Sequence, residues 1–358
     1  MTPPDPTTET LGAALARHGI GRRGLLRFAM AMAASLALPP WVAPVMAANL
    51  AKAKRCPVIW LSFQNCTGCL ETLLQSSRPT IDSILFDFIS LDYQETLMAA
   101  AGSAAEATLR DAVAANKGGY LLAIDGSIPT RDGGVYAMTG GRSNRSMLET
   151  LAADAKAVLA IGTCAAYGGI PKAYPNPTGA VGVEDLVSGT PVVNIPGCPP
   201  VPDVLSGVLV HFISFGRLPA LDDRGRPLAW FGTTIHDRCY RRAFYDQGKF
   251  AQSFDDEGAR QGWCLFELGC KGPITHNACA SLKWNGGTSF PIESGHGCLG
   301  CSEPEFWDAG SFYTSLSGGS PTGWRNAGIA AAVGLAGGAA AALSARRRTD
   351  TDGEEMPP

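Results

Sequence analysis

The sequence predicts an α/β fold with a parallel sheet in its first half and few regular elements in its second half. Short apolar strands alternate with helix-like stretches as far as about residue 220, and the strands carry little internal polarity. Strands of that kind are buried on both faces, as in parallel sheets covered by helices. From residue 221 Gly, Pro, Trp and Cys become frequent and the periodicity fades. We therefore expect a flavodoxin-like doubly wound domain over residues 48–220 and a loop-rich domain over residues 221–323.

The composition excludes several classes of protein. A length of 358 residues is typical of about two domains. A hydrophobic fraction of 46% is too high for a disordered chain, and 11 cysteines are too few for a small disulfide-knotted protein. The net charge is −3 and the interior has no basic block, so we expect no binding to nucleic acid.

Residues 1–47 are predicted to be a twin-arginine export signal. Arg22 and Arg23 precede an apolar run at 29–38, and the small residues at 45–47 suit a signal peptidase. An ordinary Sec signal or a short membrane anchor is the alternative. The twin-arginine interpretation implies export of a folded protein, which usually carries its cofactor already.

Residues 324–348 are predicted to be a transmembrane anchor. The run 327–345 has 19 residues without a charge, which matches the thickness of a bilayer core. Three arginines follow at 346–348, so the positive-inside rule places the tail 349–358 in the cytoplasm. The body is then expected on the periplasmic side of the bacterial cytoplasmic membrane, in contact with lipid through this helix. A disordered Ala/Gly tail is the alternative.

Five apolar runs in the first domain are predicted as strands, and helices are predicted between them at 106–116 and 146–155. The predicted strands are 58–61, 84–91, 120–124, 158–161 and 192–195. Parallel strands end at one edge of the sheet, and doubly wound folds bind ligands beyond that edge. No Walker or GxGxxG loop is present, so the sequence gives no support for a nucleotide.

Cysteines follow three of the five predicted strands. Cys66 and Cys69 come after the first strand, Cys164 after the fourth and Cys198 after the fifth. The third strand runs into Asp125 and a short polar loop. Because parallel strands share one edge, we expect the four thiols to lie close together there.

The remaining cysteines have the spacing of ligands for metals or clusters. CxxC pairs stand at 66–69 and 298–301, and an HxxC pair stands at 236–239, which a disulfide does not explain. Disulfides are usual in exported proteins, and zinc binds compact Cys pairs. Iron–sulfur clusters accept more scattered thiolates, because the ligands bind separate irons. Spacing alone favours clusters and leaves zinc and disulfides open.

Taken in order, these motifs resemble the small, electron-transferring subunit of nickel–iron hydrogenases over nearly the whole chain. The matching stretches are CTGCLE at 66–71, GSIP at 126–129, GGRS at 140–143, IGTCA at 161–165, PNPT at 175–178, NIPGCPP at 194–200, HDRC at 236–239, Cys264-x5-Cys270-x8-Cys279 and Cys298-x2-Cys301. So many ligand-bearing motifs in one order are specific to this family.

The resemblance implies two 4Fe–4S clusters and one 3Fe–4S cluster, held by ten cysteines and one histidine. The implied proximal 4Fe–4S ligands are Cys66, Cys69, Cys164 and Cys198. The implied distal 4Fe–4S ligands are His236, Cys239, Cys264 and Cys270. The implied medial 3Fe–4S ligands are Cys279, Cys298 and Cys301. Pro291 stands about where a fourth medial cysteine would be expected.

The resemblance also implies a function. The chain would relay electrons from H2 oxidation at the nickel–iron centre of a partner large subunit to a membrane acceptor, a haem-b cytochrome subunit. No catalytic residue is expected in this chain. Glu71 is a candidate for a proton path or for tuning of the proximal cluster, and its alternative role is a carboxylate favoured in the first turn of a helix.

Two positions depart from oxygen-tolerant members of that family, and one cysteine is left over. Gly68 and Gly169 stand where those members carry additional cysteines, so we expect a conventional four-cysteine proximal site and ordinary oxygen sensitivity. Cys56 precedes the first strand and is interpreted as a small apolar residue.

Three other functions remain open at this point. The first is the cluster-bearing subunit of a quinone-linked dehydrogenase related to complex I. The second is a hydrogen-sensing subunit. The third is an exported, disulfide-stapled binding protein without a redox role.

Overall fold

The computed structural model describes residues 9–316, and its centre is a parallel sheet of five strands. The strands are β1 (Cys56–Ser62), β2 (Ile89–Gln94), β3 (Leu121–Asp125), β4 (Ala157–Ile161) and β5 (Val192–Ile195). Their order across the sheet is β2-β1-β3-β4-β5, and every neighbouring pair is parallel. This is the strand order of flavodoxin-like doubly wound folds, so the predicted parallel α/β core is confirmed.

The strand register brings four strand ends to one level. Ser62 of β1 pairs with Asp125 of β3, Asp125 pairs with Ile161 of β4, and Ile161 pairs with Ile195 of β5. The loops that follow these residues therefore leave the sheet side by side.

Helices cover both faces of the sheet. Pro202–Phe215 packs on one face, where Val204 and Leu205 share a core with Val58 and Trp60. Gly102–Ala115 and Asn144–Ala152 cover the other face. These two helices begin four and two residues before their predicted starts.

Short elements complete the first domain. They are the helical turns Gly68–Glu71, Thr72–Gln75, Arg131–Gly134, Gly162–Tyr167 and Gly169–Lys172, and the strand pairs Ile128–Pro129 with Ala180–Val181 and Met138–Thr139 with Arg142–Ser143.

The second predicted strand is wrong over its first half. A helical turn spans Ile81–Ser83, a π-helical turn spans Ile84–Phe88, and β2 begins only at Ile89. Ile84 and Phe88 are four residues apart and are both buried, so the run meets the core with helical spacing. A short apolar run does not distinguish a buried strand from a buried helical turn.

The predicted export signal forms helices that pack on the body. They span Leu11–Arg17, Arg22–Ser35 and Val42–Lys52. Ala29 and Met46 are fully buried in the core that contains Leu209, and Asn49 Nδ2 donates to the Ser214 carbonyl at 2.9 Å. The expected boundary at residue 47 therefore falls inside a helix. The structure describes the uncleaved chain, and the export signal stays a prediction.

The second domain consists of loops and single turns around a small core. Its turns are Leu228–Phe231, His236–Arg238, Arg242–Asp246, Glu257–Arg260, Phe266–Leu268, Gly272–Ile274 and Cys279–Leu282. Ile235, Leu265, Phe290 and Ile292 form the apolar part of its core. Within residues 9–316 no helix is long and apolar enough to span a bilayer. The predicted anchor at 324–348 lies outside the described residues.

A buried arginine joins the edge of the sheet to the second domain. The loop at 222–226 follows β5, whose Asn194 donates its backbone N–H to the Gly225 carbonyl at 2.8 Å. Arg226 is 3% exposed and pairs with Asp222 at 2.7 Å and with Glu303 at 3.2 Å. Burial opposes the charge of Asp222, but hydrogen bonds and the charge of Arg226 outweigh it and hold the pKa of Asp222 below its usual value. Glu303 thus holds the loop at 222–226, which lies against β5, to the rest of the second domain.

We expect Glu303→Gln to lower the free energy of unfolding by about 3 kcal/mol, because a buried guanidinium loses one of its two carboxylates. Thermal unfolding of the purified protein measures the effect. Glu149→Gln is the matched control, since Glu149 forms an exposed pair with Arg145 and such pairs contribute below ~1 kcal/mol. Equal losses in the two variants would contradict this role for Glu303.

Glu95, just after β2, is a buried carboxyl with an incomplete set of partners. Its Oε2 accepts the Ser62 backbone N–H at 3.2 Å, and its Oε1 has no hydrogen-bond partner among residues 9–316. Burial, with smaller contributions from Asp125 and Glu106, raises the pKa of Glu95 from 4.5 to about 7.

This raised pKa predicts a pH-dependent stability. Between pH 4.5 and 7 the folded chain keeps a proton on Glu95 that the unfolded chain releases, so stability falls as pH rises through this window. We expect Glu95→Gln to be more stable than the parent above pH 7, by at most about 3 kcal/mol, and equally stable below pH 4.5. Unfolding midpoints across pH 4–8 provide the measurement. Parallel pH profiles for parent and variant would contradict the raised pKa of Glu95.

Candidate iron–sulfur cluster sites

The structure brings four predicted ligands together beyond the carboxyl edge of the sheet. Cys66 and Cys69 follow β1, Cys164 lies in the turn after β4, and Cys198 follows β5. Burial raises the pKa of the Cys69 thiol strongly, and the charges of the other three thiols act in the same direction. Mutual electrostatic action of this kind requires the four sulfurs to lie near one another. We call them the proximal group.

Glycines leave space beside the sulfurs of the proximal group. A Cβ on Gly169 would lie 2.7 Å from the Cys164 sulfur, and a Cβ on Gly162 would collide with the Cys69 sulfur. Both glycines have positive φ, at +55° and +85°, where other residues are strained. A Cβ on Gly68 would lie 3.4 Å from the Cys66 sulfur. The backbone thus passes close to the thiols without filling the space that a cluster would need.

The thiols do not have the geometry of a site for a single ion. Among residues 9–316, no three His, Cys, Asp or Glu side chains converge tightly enough to hold one metal ion. Zinc requires four donors at about 2.0–2.3 Å from the ion. A cluster ligated at separate irons is compatible with wider spacing. The donor chemistry therefore fits an iron–sulfur cluster better than zinc.

Asp125, at the end of β3, binds side chains of β1 and of the loop that leads to the proximal group. Its carboxylate is fully buried and accepts hydrogen bonds from Trp60 Nε1 at 2.9 Å, Ser62 Oγ at 2.7 Å and Asn65 Nδ2 at 2.6 Å. Burial raises the pKa of Asp125 although these three donors oppose the rise. The sequence interpretation gave this residue no role. The signal that could have identified Asp125 is an acidic residue at the end of an otherwise apolar strand.

A second group lies in the loop-rich domain and contains the predicted distal ligands. Its members are His236, Cys239, Cys264 and Cys270. The charge of Cys270 acts on both Cys239 and Cys264, and burial raises the pKa of Cys264 to about 11. The His236 ring meets Tyr245 edge-on at 4.5 Å. Burial, helped by the charge of Arg242, lowers the pKa of His236, which favours the neutral imidazole that can ligate a metal.

A repeated backbone pattern holds the thiols of the second domain. In four cases the backbone N–H two residues after a cysteine donates to that cysteine's sulfur. The donors are Arg241, Phe266, Gly272 and Gly300, for Cys239, Cys264, Cys270 and Cys298 respectively. Such N–H···S bonds stabilise thiolate and raise the potential of a bound cluster. Each of these turns therefore presents a backbone N–H to a cysteine sulfur.

The predicted medial ligands form the third group, between the other two. They are Cys279, Cys298 and Cys301, and burial raises the pKa of Cys279 to about 12. The Trp284 side chain donates to the Cys279 sulfur. The Thr275 hydroxyl donates to the Lys271 carbonyl at 2.7 Å and lies beside the Cys298 sulfur. The sequence interpretation did not identify these two neighbours, because neither has a distinctive spacing.

Direct contacts place the three groups in a row. The Cys198 backbone N–H donates to the Cys301 sulfur, and Thr163 Oγ1 donates to the Cys301 carbonyl, which joins the proximal and medial groups. The Cys298 backbone N–H donates to the Cys270 sulfur at 3.2 Å, which joins the medial and distal groups. Neighbouring groups are thus a single hydrogen bond apart.

All 11 cysteines are free thiols, which counts against the disulfide-stapled alternative. Burial raises the pKa of most of the predicted ligands, so these thiols are protonated until a metal displaces the proton. Cys56 is buried in the apolar core at the start of β1, and its sulfur lies 3.8 Å from the Pro57 carbonyl, as expected of a small apolar residue. Glu71 is exposed and contacts Thr67 Oγ1 at 3.4 Å, which leaves both of its predicted roles open.

Two family models match the chain. The model for the C-terminal region of the NiFe/NiFeSe hydrogenase small subunit matches residues 231–314. The model for the NADH ubiquinone oxidoreductase 20 Kd subunit matches residues 66–212. The first domain therefore matches the model of a complex I subunit. The match of the second domain to the hydrogenase model distinguishes this chain from the complex I alternative.

Whole-length relatives agree with the C-terminal match. The uptake hydrogenase small subunit of Azotobacter vinelandii is 44% identical over 352 residues, which cover 97% of this chain and 98% of that protein. The hydrogenase-1 small chain of Escherichia coli K12 is 46% identical and covers 86% of this chain and 83% of its own length. A solved structure of the [NiFeSe]-hydrogenase of Dm. baculatum superposes with a TM-score of 0.69 at 39% identity, and covers 74% of this chain and all of that chain. The chain belongs to the family of nickel–iron hydrogenase small subunits.

Proposed function

We propose that this chain relays electrons from H2 oxidation at the nickel–iron centre of a large subunit to an acceptor in the membrane. Three clusters would be held in a row, a proximal 4Fe–4S, a medial 3Fe–4S and a distal 4Fe–4S. Bound there, they supply stepwise transfer of single electrons. The observation that carries the proposal is the row of thiol groups joined through Cys198–Cys301 and Cys298–Cys270 contacts.

The residues of the chain have separate tasks in this relay. Ten cysteines and His236 hold the clusters, and the backbone N–H groups two residues beyond four of the cysteines stabilise the thiolates. Cys279, Cys298 and Cys301 are half-buried, which limits the access of water to the middle of the row. The three medial thiols, with proline at 291, suit a cluster with three ligands.

The proximal end has the properties of a surface for the large subunit. Cys66 and Cys198 are exposed in this chain alone, whereas Cys69 and Cys164 of the same group are half-buried. Exposed apolar side chains surround the same edge of the sheet, including Leu74, Tyr136 and Tyr174, the last of which is 89% exposed. A large partner that covers this edge would bury them and shield the proximal cluster.

The distal end has the properties of an exit for electrons. His236 is only half-buried, and Asp237 and Arg238 beside it are exposed. We propose that a haem-b cytochrome subunit accepts electrons here, and that the predicted helix at 324–348 holds the chain to the periplasmic face of the membrane. The leader with Arg22 and Arg23 supports export of the folded, cluster-loaded protein.

A medial ligand tests the relay directly. We expect Cys279→Ser to remove or convert the 3Fe–4S cluster and to slow dye reduction by H2 at least tenfold, because transfer between the outer clusters loses its middle step. Electron paramagnetic resonance and iron and sulfide analysis of the anaerobically purified complex measure cluster content. Cys56→Ser, a buried cysteine outside all three groups, should keep every cluster and full activity. Normal medial signals in Cys279→Ser would refute the ligand assignment.

The leader tests the proposed location. We expect replacement of Arg22 and Arg23 by lysine to leave the chain in the cytoplasm, because the export pathway recognises the paired guanidinium groups. Fractionation and immunodetection of the small subunit provide the measurement. Arg27→Lys keeps the pair and should be exported normally. Normal membrane attachment of the twin-lysine variant would exclude the proposed pathway.

A further inference from the structure

Two cations are buried beside the distal group, and neither has a carboxylate partner. Arg241 and Lys271 are each 6% exposed. Within residues 9–316 no Asp or Glu lies at ion-pair distance from either side chain, whereas Arg226, buried to the same degree, has two such partners. Buried charges in proteins are normally paired or bound to a metal site. The absence of a protein partner therefore requires another source of negative charge.

Arg241 connects two of the loops that carry distal thiols. Its backbone N–H donates to the Cys239 sulfur, and its Nη1 donates to the carbonyl of Trp263 at 2.8 Å, directly before Cys264. Its Nε donates to Tyr240 Oη at 2.7 Å, and the guanidinium lies 5.4 Å from the centre of the Tyr240 ring. These contacts fix the guanidinium and add no negative charge.

The charge of Arg241 acts on all three distal thiols. It favours the thiolate form of Cys239, of Cys264 and of Cys270. An arginine stays charged under all conditions in which proteins fold. A fixed positive charge is therefore built in among the ligands of one cluster.

Lys271 adds a second positive charge on the medial side of the same group. It follows Cys270 in the chain, and its backbone N–H donates to the Cys298 carbonyl at 2.7 Å. Its stem packs on Gly300, where a Cβ would lie 3.5 Å from the Lys271 Cβ, and Nζ donates to the Thr314 carbonyl at 2.6 Å. Burial lowers the pKa of Lys271, and the charge of the Cys270 thiolate opposes that fall.

We propose that Arg241, with Lys271 beside it, is the internal counter-cation of the distal cluster and raises the reduction potential of that cluster. The inference rests on the proposed function, since it assumes a cluster held by His236 and three thiolates. One-electron reduction adds a negative charge to the cluster, and a fixed nearby cation stabilises the reduced form more than the oxidised form. Arg241 acts on the cluster through its charge and takes no direct part in the chemistry of hydrogen.

The test is a redox titration of the distal cluster in the anaerobically purified heterodimer, followed by electron paramagnetic resonance. We expect Arg241→Gln, which keeps a donor for the Trp263 carbonyl, to shift the distal equilibrium toward the oxidised cluster about tenfold, or roughly 59 mV for one electron. Arg241→Lys should keep most of the parent potential. Lys271→Met should shift the equilibrium in the same direction as Arg241→Gln.

Controls separate this inference from the relay itself. Arg260→Met removes an exposed arginine of the same domain, paired with Glu257, and should leave the distal potential unchanged. Intact clusters with an unchanged distal potential in both Arg241→Gln and Lys271→Met would overturn the inference and leave the relay standing. A parent protein without a distal cluster would overturn the relay. If Arg241→Gln fails to assemble the cluster, a parent-like potential in Lys271→Met decides against the inference.

Discussion

The alignment of parallel strand ends is the constraint on which the rest of this structure depends. Four strands stop at one level because Ser62, Asp125, Ile161 and Ile195 are in register. Cys66 and Cys198 are far apart in the sequence, yet they lie at the same edge because the strands that precede them end there. The medial group is then built against this edge through the Cys198–Cys301 contact, and the distal group is built against the medial group. The loop-rich domain is thus arranged by sulfur contacts that begin at the sheet.

The sequence predicted the sheet and the grouping of the thiols because both depend on simple patterns. Apolar strands buried on both faces have a composition that few other elements share, and cysteines at strand ends must converge when the strands are parallel. The distal and medial groups came only from resemblance, since loops have no periodicity that fixes where Cys264 and Cys279 lie. The start of β2 was wrong because Ile84 and Phe88 satisfy helical and extended burial alike.

Residues that act through others were beyond the sequence. Trp284, Thr275 and Arg241 reach sulfur or the loops that carry it across turns whose geometry no local signal gives. The role of two glycines was also beyond the sequence. Gly162 and Gly169 approach the proximal sulfurs closely, and this approach is evident only from the path of the backbone.

The bond between Lys271 and Thr314 has a mechanical consequence. Gly269 has room for no Cβ because the backbone of Phe312 and Tyr313 passes against it, and Lys271 clamps the next residue of that segment. The segment is therefore strapped across the loop that carries Cys270. The position of the Cys270 loop therefore depends on the segment that ends the described part of the chain, as well as on the loops around it.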